Sequence, residues 1–202
     1  AIVKHPDTRV ISFTGSSGVG RGIAESCGSS LKRLSLELGG KNAQIVMDDA
    51  DLDLALAGAL WGAFGTTGQR CTATSRLIVH KKVHDELVGR ILERAKKLRL
   101  GNGLDEKNEI GPLVNRGQVE TVHSYVEIGK KEGAKLLCGG EPATDGDLAK
   151  GCFYKPTIFD GVKPEMRIAR EEIFGPVLSV LTCKDLDDAL HIINGVDYGL
   201  SS

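Results

Sequence analysis

Hydrophobic and polar positions alternate along this chain with two periods, one typical of strands and one typical of helices. The clearest helical stripe runs from Asp51 to Phe64, and Asp51 itself suits an N-cap. Short apolar runs bounded by glycine or aspartate predict strands. The predicted strands cover residues 10–15, 31–38, 43–47, 75–80, 134–138 and 177–182. The predicted helices cover residues 16–28, 51–65, 85–98, 118–133 and 185–194.

Strands that alternate with helices favour an α/β fold with a mostly parallel sheet, because parallel neighbours need a crossover between them. We therefore expect a three-layer arrangement in which helices cover both faces of the sheet. The chain begins just before a strand, turn and helix that lack preceding partner strands, and it stops at residues 198–202 without a closing element. The sequence thus predicts an α/β protein that is truncated at both ends.

Composition argues against several classes of function. The 202 residues carry a formal net charge of −1 and only 4% aromatic residues, which argues against a nucleic-acid surface. The longest apolar stretch, residues 54–64, is too short to cross a bilayer, so no membrane partner is expected. Five scattered cysteines without a CxxC pair argue against a disulfide framework or a zinc site, and they favour a reducing, cytoplasmic compartment.

One cysteine differs from the others in its surroundings. Cys71 follows a turn that contains Gly65 and Gly68, and small residues there would let a substrate approach the backbone. A thiolate at this position suits covalent attack on a carbonyl carbon, and the Cys71 backbone N–H would be a natural donor to the oxyanion that forms. The alternative is a buried structural thiol, which is the commonest environment of a cysteine.

A carboxylate that interrupts an apolar strand is the second candidate. Glu37 lies at the end of the predicted strand, just before Gly39 and Gly40. Such a side chain is either exposed to solvent or held in a cleft, where it would act as a base on a water molecule. The residue pattern leaves both interpretations open.

Two further segments suit a nucleotide. Residues 13–20 form a strand, a turn of small residues and a helix start, where free N–H groups would hold a phosphate, although the spacing is not GxGxxG. Glu171 and Glu172 would hydrogen-bond ribose hydroxyls, or they are solvated surface charges. His80 and His84 lie across a predicted strand end, so no metal site is expected there.

Together these segments resemble the aldehyde dehydrogenase superfamily. Residues 36–42 (LELGGKN) resemble its glutamate motif, and residues 68–71 (GQRC) resemble its nucleophile motif. Residues 171–177 (EEIFGPV) are similar to its third signature, and residues 13–16 (FTGS) to its cofactor turn. The motifs occur in the family's order, and the resemblance runs from residue 10 to residue 202.

The resemblance implies an NAD(P)-dependent oxidation of a small-molecule aldehyde to the carboxylic acid. Cys71 would be the nucleophile that forms a thiohemiacetal and then a thioester, and Glu37 would be the general base for its hydrolysis. NAD or NADP is the implied cofactor, and the parent enzyme is expected to be a homo-oligomer. The implied cofactor contacts are Gly15, Ser16, Leu38, Glu172 and Phe174.

Family members are much longer than this chain. The resemblance therefore implies that residues 1–40 end a dinucleotide-binding domain and that residues 41–202 form most of a catalytic domain. We expect the isolated chain to be weakly active or inactive. Gln118 is expected near the adenine-side ribose. Arg70 either meets the carboxylate of a semialdehyde substrate or packs away from it.

Three alternatives remain open at this point. A coenzyme A-acylating relative would use the same fold but would need no base at the position of Glu37. A catalytically inert protein would keep the fold as a scaffold. A hydrolase that pairs Cys71 with a histidine is the third, and the chain has no histidine in a local setting that recommends it.

Overall fold

The computed structural model describes residues 1–202 and divides into two compact units, Ala1–Gly40 and Lys41–Ser202. The smaller unit holds two parallel strands, β1 (Val10–Thr14) and β2 (Arg33–Glu37), joined by helix α1 (Ser17–Gly28). That these units are a cofactor domain and a catalytic domain stays a prediction.

The larger unit is built on a five-stranded sheet with the order β3-β4-β7-β6-β5. Neighbouring strands from β3 to β6 run parallel, and β5 alone is antiparallel to its neighbour, β6. The strands are β3 (Ala43–Val46), β4 (Arg76–His80), β5 (Lys135–Cys138), β6 (Thr157–Asp160) and β7 (Val177–Cys183). The helices are α2 (Leu52–Phe64), α3 (His84–Ala95), α4 (Arg116–Lys131), α5 (Arg167–Arg170) and α6 (Leu186–Asn194).

Alternating side chains on the strands form two separate cores. Leu77 and Val79 of β4 pack with α2 and α3 on one face, whereas Ile78 faces the opposite core. Val126 of α4 and Ile192 of α6 belong to that opposite core. Helices therefore cover both faces of a mostly parallel sheet, which confirms the predicted α/β, three-layer class. None of the helices is both long enough and apolar enough to span a bilayer.

Helix starts in this unit follow short polar side chains. The Asp51 carboxylate accepts from the N–H groups of Asp53 and Leu54, at 2.9 and 3.1 Å, which caps α2 as the sequence predicted. The Asn115 side chain accepts from Gln118 N at 2.9 Å, so α4 begins two residues before its predicted start. Strand β6 was not predicted from the pattern, although β3 and β5, which have the same length, were.

Candidate active site

Cys71 lies at the edge of the sheet where the parallel strands begin. It precedes β4, Asn42 precedes β3, and residues 171–175 precede β7. These three strands are neighbours in the sheet and run the same way, so their amino ends lie at one edge. The sheet therefore places the cysteine between Asn42 and the 171–175 segment.

The turn that leads to Cys71, residues 65–71, has an unusual backbone. Thr66 and Thr67 have φ values of 57° and 59°, a left-handed conformation that is rare for β-branched residues. Each such residue costs about 1–2 kcal/mol relative to a right-handed conformation. Gly68 continues the left-handed run, and a Cβ atom there would collide with the carbonyl oxygen of Gly175. Strain that persists in a structure is often found at a functional site.

Side chains of the turn hold it in this conformation. The Thr67 hydroxyl donates to Gly111 O at 3.0 Å. The Gln69 side chain donates to Pro112 O at 3.2 Å and accepts from Val114 N at 2.9 Å. The turn at residues 65–71 is thus tied to the loop that leads into α4, and these hydrogen bonds offset its backbone strain.

Asn42 fixes the cysteine itself. Its side-chain amide donates to Cys71 O at 2.6 Å and to Ala73 O at 3.1 Å, and the residue is only 6% exposed. Cys71 is half-buried, and its own backbone N–H donates to no group of the chain. The Cys71 carbonyl is therefore held by Asn42, whereas the Cys71 N–H is available to hydrogen-bond a ligand.

The Arg70 side chain packs against the C-terminal end of helix α2. Its guanidinium lies 3.9 Å from the ring centroid of Trp61, and its Nη2 donates weakly to the carbonyls of Trp61 and Gly62, at 3.4 and 3.5 Å. These carbonyls belong to the last turns of α2, where positive charge is favourable. Two arrangements were considered for Arg70, contact with a substrate carboxylate and packing within the protein. The structure has the second.

The 171–175 segment carries two carboxylates, Glu171 and Glu172. Glu171 accepts two hydrogen bonds from Arg167, at 2.7 and 2.9 Å, and one from the Tyr125 hydroxyl at 2.8 Å. The hydrogen bond from Arg167 is the main reason why the pKa of Glu171 lies below its usual value. Glu171 is therefore engaged within the larger unit, by Arg167 and by Tyr125.

Gln118 supports the same segment from α4. Its side-chain amide donates to Ile173 O and Phe174 O, both at 3.0 Å. Phe174 has a φ of 57° and is 38% exposed, so this residue too is held in an unusual conformation at the surface. The N–H groups of Gln118 thus serve the protein backbone, and its predicted contact with a ribose stays a prediction.

A buried lysine lies at the same edge. Lys41 is 1% exposed, and its Nζ has no hydrogen-bond partner. Burial, together with the positive charge of Arg76, lowers the pKa of Lys41 to about 7, although Glu172 and Glu171 oppose the shift. Arg76 donates from Nε to Lys41 O at 2.9 Å, which fixes the lysine backbone at the start of β3.

The smaller unit carries the remaining predicted residues. Thr14 pairs with Glu37, so β1 and β2 end together, and Gly15 N donates to Glu37 O at 3.0 Å. Glu37 is exposed and its carboxylate makes no hydrogen bond within the chain. Gly15 and Ser16 are exposed just before α1, which brings the predicted base beside the predicted cofactor turn.

Leu38 has a packing role in this unit. A Cβ atom at Gly20 would meet the Leu38 side chain within 3 Å, so a glycine is needed where α1 passes over β2. The Ser16 hydroxyl accepts from Val19 N at 3.4 Å and caps α1. The first turn of α1 therefore presents exposed N–H groups beside small residues, a setting that suits phosphate.

The structure thus brings the predicted residues together in two groups. Gly15, Ser16, Glu37 and Leu38 belong to the smaller unit, and Cys71, Glu172 and Phe174 belong to the larger one. Sequence reasoning missed Asn42 and Lys41, although both lie in the LELGGKN motif that had been singled out. Among the described residues, no group of three or more His, Cys, Asp or Glu side chains is placed to hold a metal ion.

The sequence model of the Aldehyde dehydrogenase family matches residues 1–202, the whole chain. The chain belongs to the aldehyde dehydrogenase family. Among its relatives, a betaine aldehyde dehydrogenase of Brucella anthropi is 46% identical over 202 residues, which are 100% of this chain and 42% of that protein. A 2,5-dioxopentanoate dehydrogenase of Saccharolobus solfataricus is 49% identical over 200 residues, 98% of this chain and 41% of that protein.

Solved aldehyde dehydrogenase structures agree with this assignment. HpcC from Thermus thermophilus matches with a TM-score of 0.96 and 43% identity, over 98% of this chain and 39% of that one. A betaine aldehyde dehydrogenase from Staphylococcus aureus, solved in complex with NAD+, matches with a TM-score of 0.96 and 36% identity over the same shares. This aldehyde dehydrogenase chain therefore spans about two fifths of the length of the proteins that it matches.

Proposed function

We propose that this protein oxidises an aldehyde to the carboxylic acid with NAD or NADP, through a thioester on Cys71. The observation that supports the proposal is the way in which neighbouring residues hold Cys71. Asn42 holds its carbonyl, a strained turn fixes its position, and its N–H makes no hydrogen bond within the chain. A nucleophile needs a fixed position and a donor for the oxyanion that its attack creates.

Cys71 begins the reaction. Its thiolate sulfur adds to the aldehyde carbon, and the carbonyl oxygen becomes the oxyanion of a thiohemiacetal, which the Cys71 N–H would meet. Bound NAD(P) supplies the hydride acceptor that the conversion of the thiohemiacetal to the thioester requires. The two left-handed threonines would keep the sulfur in place through this change, because they limit the movement of the backbone.

Glu37 completes the reaction in this proposal. Its carboxylate takes a proton from water, the hydroxide oxygen attacks the thioester carbon, and Cys71 leaves as the thiolate while the acid is released. Support comes from the exposure of Glu37 and from the absence of any protein hydrogen bond to its carboxylate. A side chain that is already engaged, as Glu171 is, would be a poorer base.

The residues that would hold the cofactor fit a dinucleotide. The exposed N–H groups at the start of α1, after Gly15 and Ser16, would meet its phosphates, and Leu38 keeps α1 close to β2. Glu172 would accept hydrogen bonds from a ribose, and the exposed ring of Phe174 would lie beside it. The solved relative that holds NAD+ supports this cofactor.

The relatives and the position of Arg70 bear on which aldehyde is the substrate. The two relatives are named for aldehydes of opposite charge, a quaternary ammonium in betaine aldehyde and a carboxylate in 2,5-dioxopentanoate. A semialdehyde is one candidate substrate, and Arg70 would have to leave Trp61 to bind its carboxylate. A homo-oligomeric parent enzyme and a cytoplasmic location remain part of the proposal.

Acylation by an activated ester tests the two catalytic roles on the chain as it stands. With p-nitrophenyl acetate, mass spectrometry of tryptic peptides should locate the acetyl group on Cys71, in the peptide 71–76. Glu37→Gln should prolong the life of this thioester by on the order of a hundredfold or more, because a general base contributes roughly 10²–10⁴ in rate. Glu25→Gln, an exposed acid of the same unit, is the matched control and should change nothing.

Two results would contradict the proposal. One is acetylation of the half-buried Cys152 in preference to Cys71. The other is an unchanged thioester lifetime in Glu37→Gln. An assay with aldehyde, NAD+ and coenzyme A then separates the alternatives, since a free acid supports hydrolysis and an acyl-coenzyme A supports the acylating reaction.

A further inference from the structure

Arg76 is a buried cation whose charge the proposed reaction does not use. It is the first residue of β4 and is 2% exposed. Its guanidinium donates to three backbone carbonyls, from Nε to Lys41 O at 2.9 Å, from Nη1 to Ile192 O at 3.0 Å and from Nη2 to Ile193 O at 3.0 Å. Burial lowers the pKa of Arg76 to about 10, so the group keeps its charge at neutral pH. All three hydrogen bonds are therefore charge-assisted.

These three carbonyls come from two segments that are far apart in the sequence. Ile192 and Ile193 lie in the last turn of α6, where carbonyls lack partners within the helix and positive charge is favourable. Lys41 lies just before β3. The planar fork of a guanidinium meets carbonyls in several directions at once, whereas the ammonium of a lysine is a compact point charge. Arginine therefore suits a position that ties the end of α6 to the segment before β3.

Arg76 holds the backbone on both sides of Asn42. Its guanidinium donates to Lys41 O, which belongs to the peptide group before Asn42, and its backbone N–H donates to Asn42 O at 3.1 Å. Because each peptide group is planar, two fixed planes fix the backbone dihedrals of Asn42 and the direction of its side chain. That side chain donates to Cys71 O at 2.6 Å. A continuous set of hydrogen bonds therefore connects Arg76 with the backbone of Cys71.

We propose that Arg76 is a positioning residue for Cys71 and that it acts through Asn42. The guanidinium keeps the Asn42 side chain aimed at the Cys71 carbonyl. Holding this carbonyl limits the rotation of the cysteine backbone, and with it the direction of the sulfur and of the N–H that would meet the oxyanion. The oxyanion part of this inference rests on the proposed function of Cys71. The coupling between Arg76 and Asn42 does not.

Two reactions of the Cys71 thiol separate positioning from a general structural effect. Acylation by p-nitrophenyl acetate passes through an oxyanion, whereas alkylation by iodoacetamide is a direct displacement that forms none. Both rates depend on the thiolate fraction, so their ratio cancels a change in the thiol pKa.

Arg76→Lys keeps the charge and loses the planar fork. In this variant the ratio of acylation rate to alkylation rate at Cys71 should fall at least about tenfold, because loss of one oxyanion donor costs about 10²–10³ in rate. Arg94→Lys, the same change at an exposed arginine of α3, is the matched control and should leave the ratio unchanged. An unchanged ratio in a folded Arg76→Lys variant would overturn the inference.

A double-mutant cycle tests the route through Asn42. Asn42→Leu should lower the same ratio, and the addition of Arg76→Lys to it should lower the ratio little further, because residues that act through one another are not additive. If the two substitutions instead lower the ratio independently, Arg76 does not act through Asn42 and the inference is wrong.

Hydrogen exchange of the unmodified chain, followed by nuclear magnetic resonance, tests the coupling even if a variant fails to fold. The Arg76 Nε–H and the side-chain amide hydrogens of Asn42 should exchange through one opening, with equal free energies and equal dependence on urea. Unequal opening free energies would exclude the coupling. Acetylation of Cys152 in preference to Cys71 would instead refute the proposed function, and hydrogen exchange would then decide the coupling alone.

Discussion

Replacement of Lys41 by methionine should stabilise the chain, and the effect should depend on pH. Folding lowers the pKa of Lys41 from 10.5 to about 7, because burial and Arg76 outweigh the two glutamates. Between these pH values the unfolded chain holds a proton that the folded chain has released, so the free energy of unfolding rises with pH. Methionine fills nearly the same volume and has no charge to lose.

The magnitude follows from the shift itself. Each pH unit between about 7 and 10.5 adds about 1.4 kcal/mol to the stability of the wild type, and the full window amounts to about 5 kcal/mol. Below pH 7 the cost of the buried ammonium is present in full. The advantage of Lys41→Met should therefore be largest at pH 6 to 7, and it should shrink by about 3 kcal/mol by pH 9.5.

Urea denaturation followed by circular dichroism, at several pH values from 6 to 9.5, measures this difference. The comparison of variant with wild type cancels the contributions of other titrating groups. Lys81→Met removes an exposed lysine and should give a difference that does not change with pH. A flat difference for Lys41→Met, or a variant that loses stability at pH 6, would refute the reasoning.

Three further substitutions test the geometry of the larger unit. Gly68→Ala should cost at least about 2 kcal/mol of unfolding free energy, because its methyl group would collide with the Gly175 carbonyl and the backbone there is left-handed. The same change should slow alkylation of the Cys71 thiol, and an unchanged alkylation rate would contradict this. Asn42→Leu removes three side-chain hydrogen bonds, to Cys71 O, to Ala73 O and from Ser201 N. It should cost about 2–3 kcal/mol of unfolding free energy, measured by denaturation, and a cost below about 0.5 kcal/mol would contradict this. Asp160→Asn should destabilise the chain by about 1 kcal/mol at pH 5.5 and by less at pH 8. Burial lowers the pKa of His84, but its hydrogen bonds to two aspartates raise it overall, so this stabilisation is complete below pH 6.5 and fades above the raised pKa; equal losses at both pH values would argue against it.

Local signals were enough to predict much of the fold. The stripe behind Asp51 predicted α2 because an N-cap and a helical period act over neighbouring residues. The turn before Cys71 was visible from its glycines. The antiparallel strand β5 and the short β6 are different, since their direction and existence depend on pairing across the sheet. A four-residue strand gives only a weak pattern, so the sequence revealed β3 and β5 but not β6.

The residues that support the site make contacts with residues far away in the sequence, so no local pattern identifies them. Asn42 meets the cysteine carbonyl across 29 residues of sequence, and Tyr125 meets Glu171 across 46. Lys41 is a charged residue in a polar stretch, which predicts exposure, and only the packed structure buries it. Sequence therefore suggests candidate reactive residues more readily than it identifies the residues that hold them in place.

The stacked indole beside the turn before Cys71 gives this chain an internal optical reporter. Trp61 is its only tryptophan, and it is 67% exposed beneath the Arg70 guanidinium. Emission excited in the indole band therefore comes from a ring that contacts Arg70, the residue next to Cys71, and a displaced guanidinium should change its intensity. Any event that moves Arg70, such as local unfolding of this turn, should then be visible in real time without an attached dye.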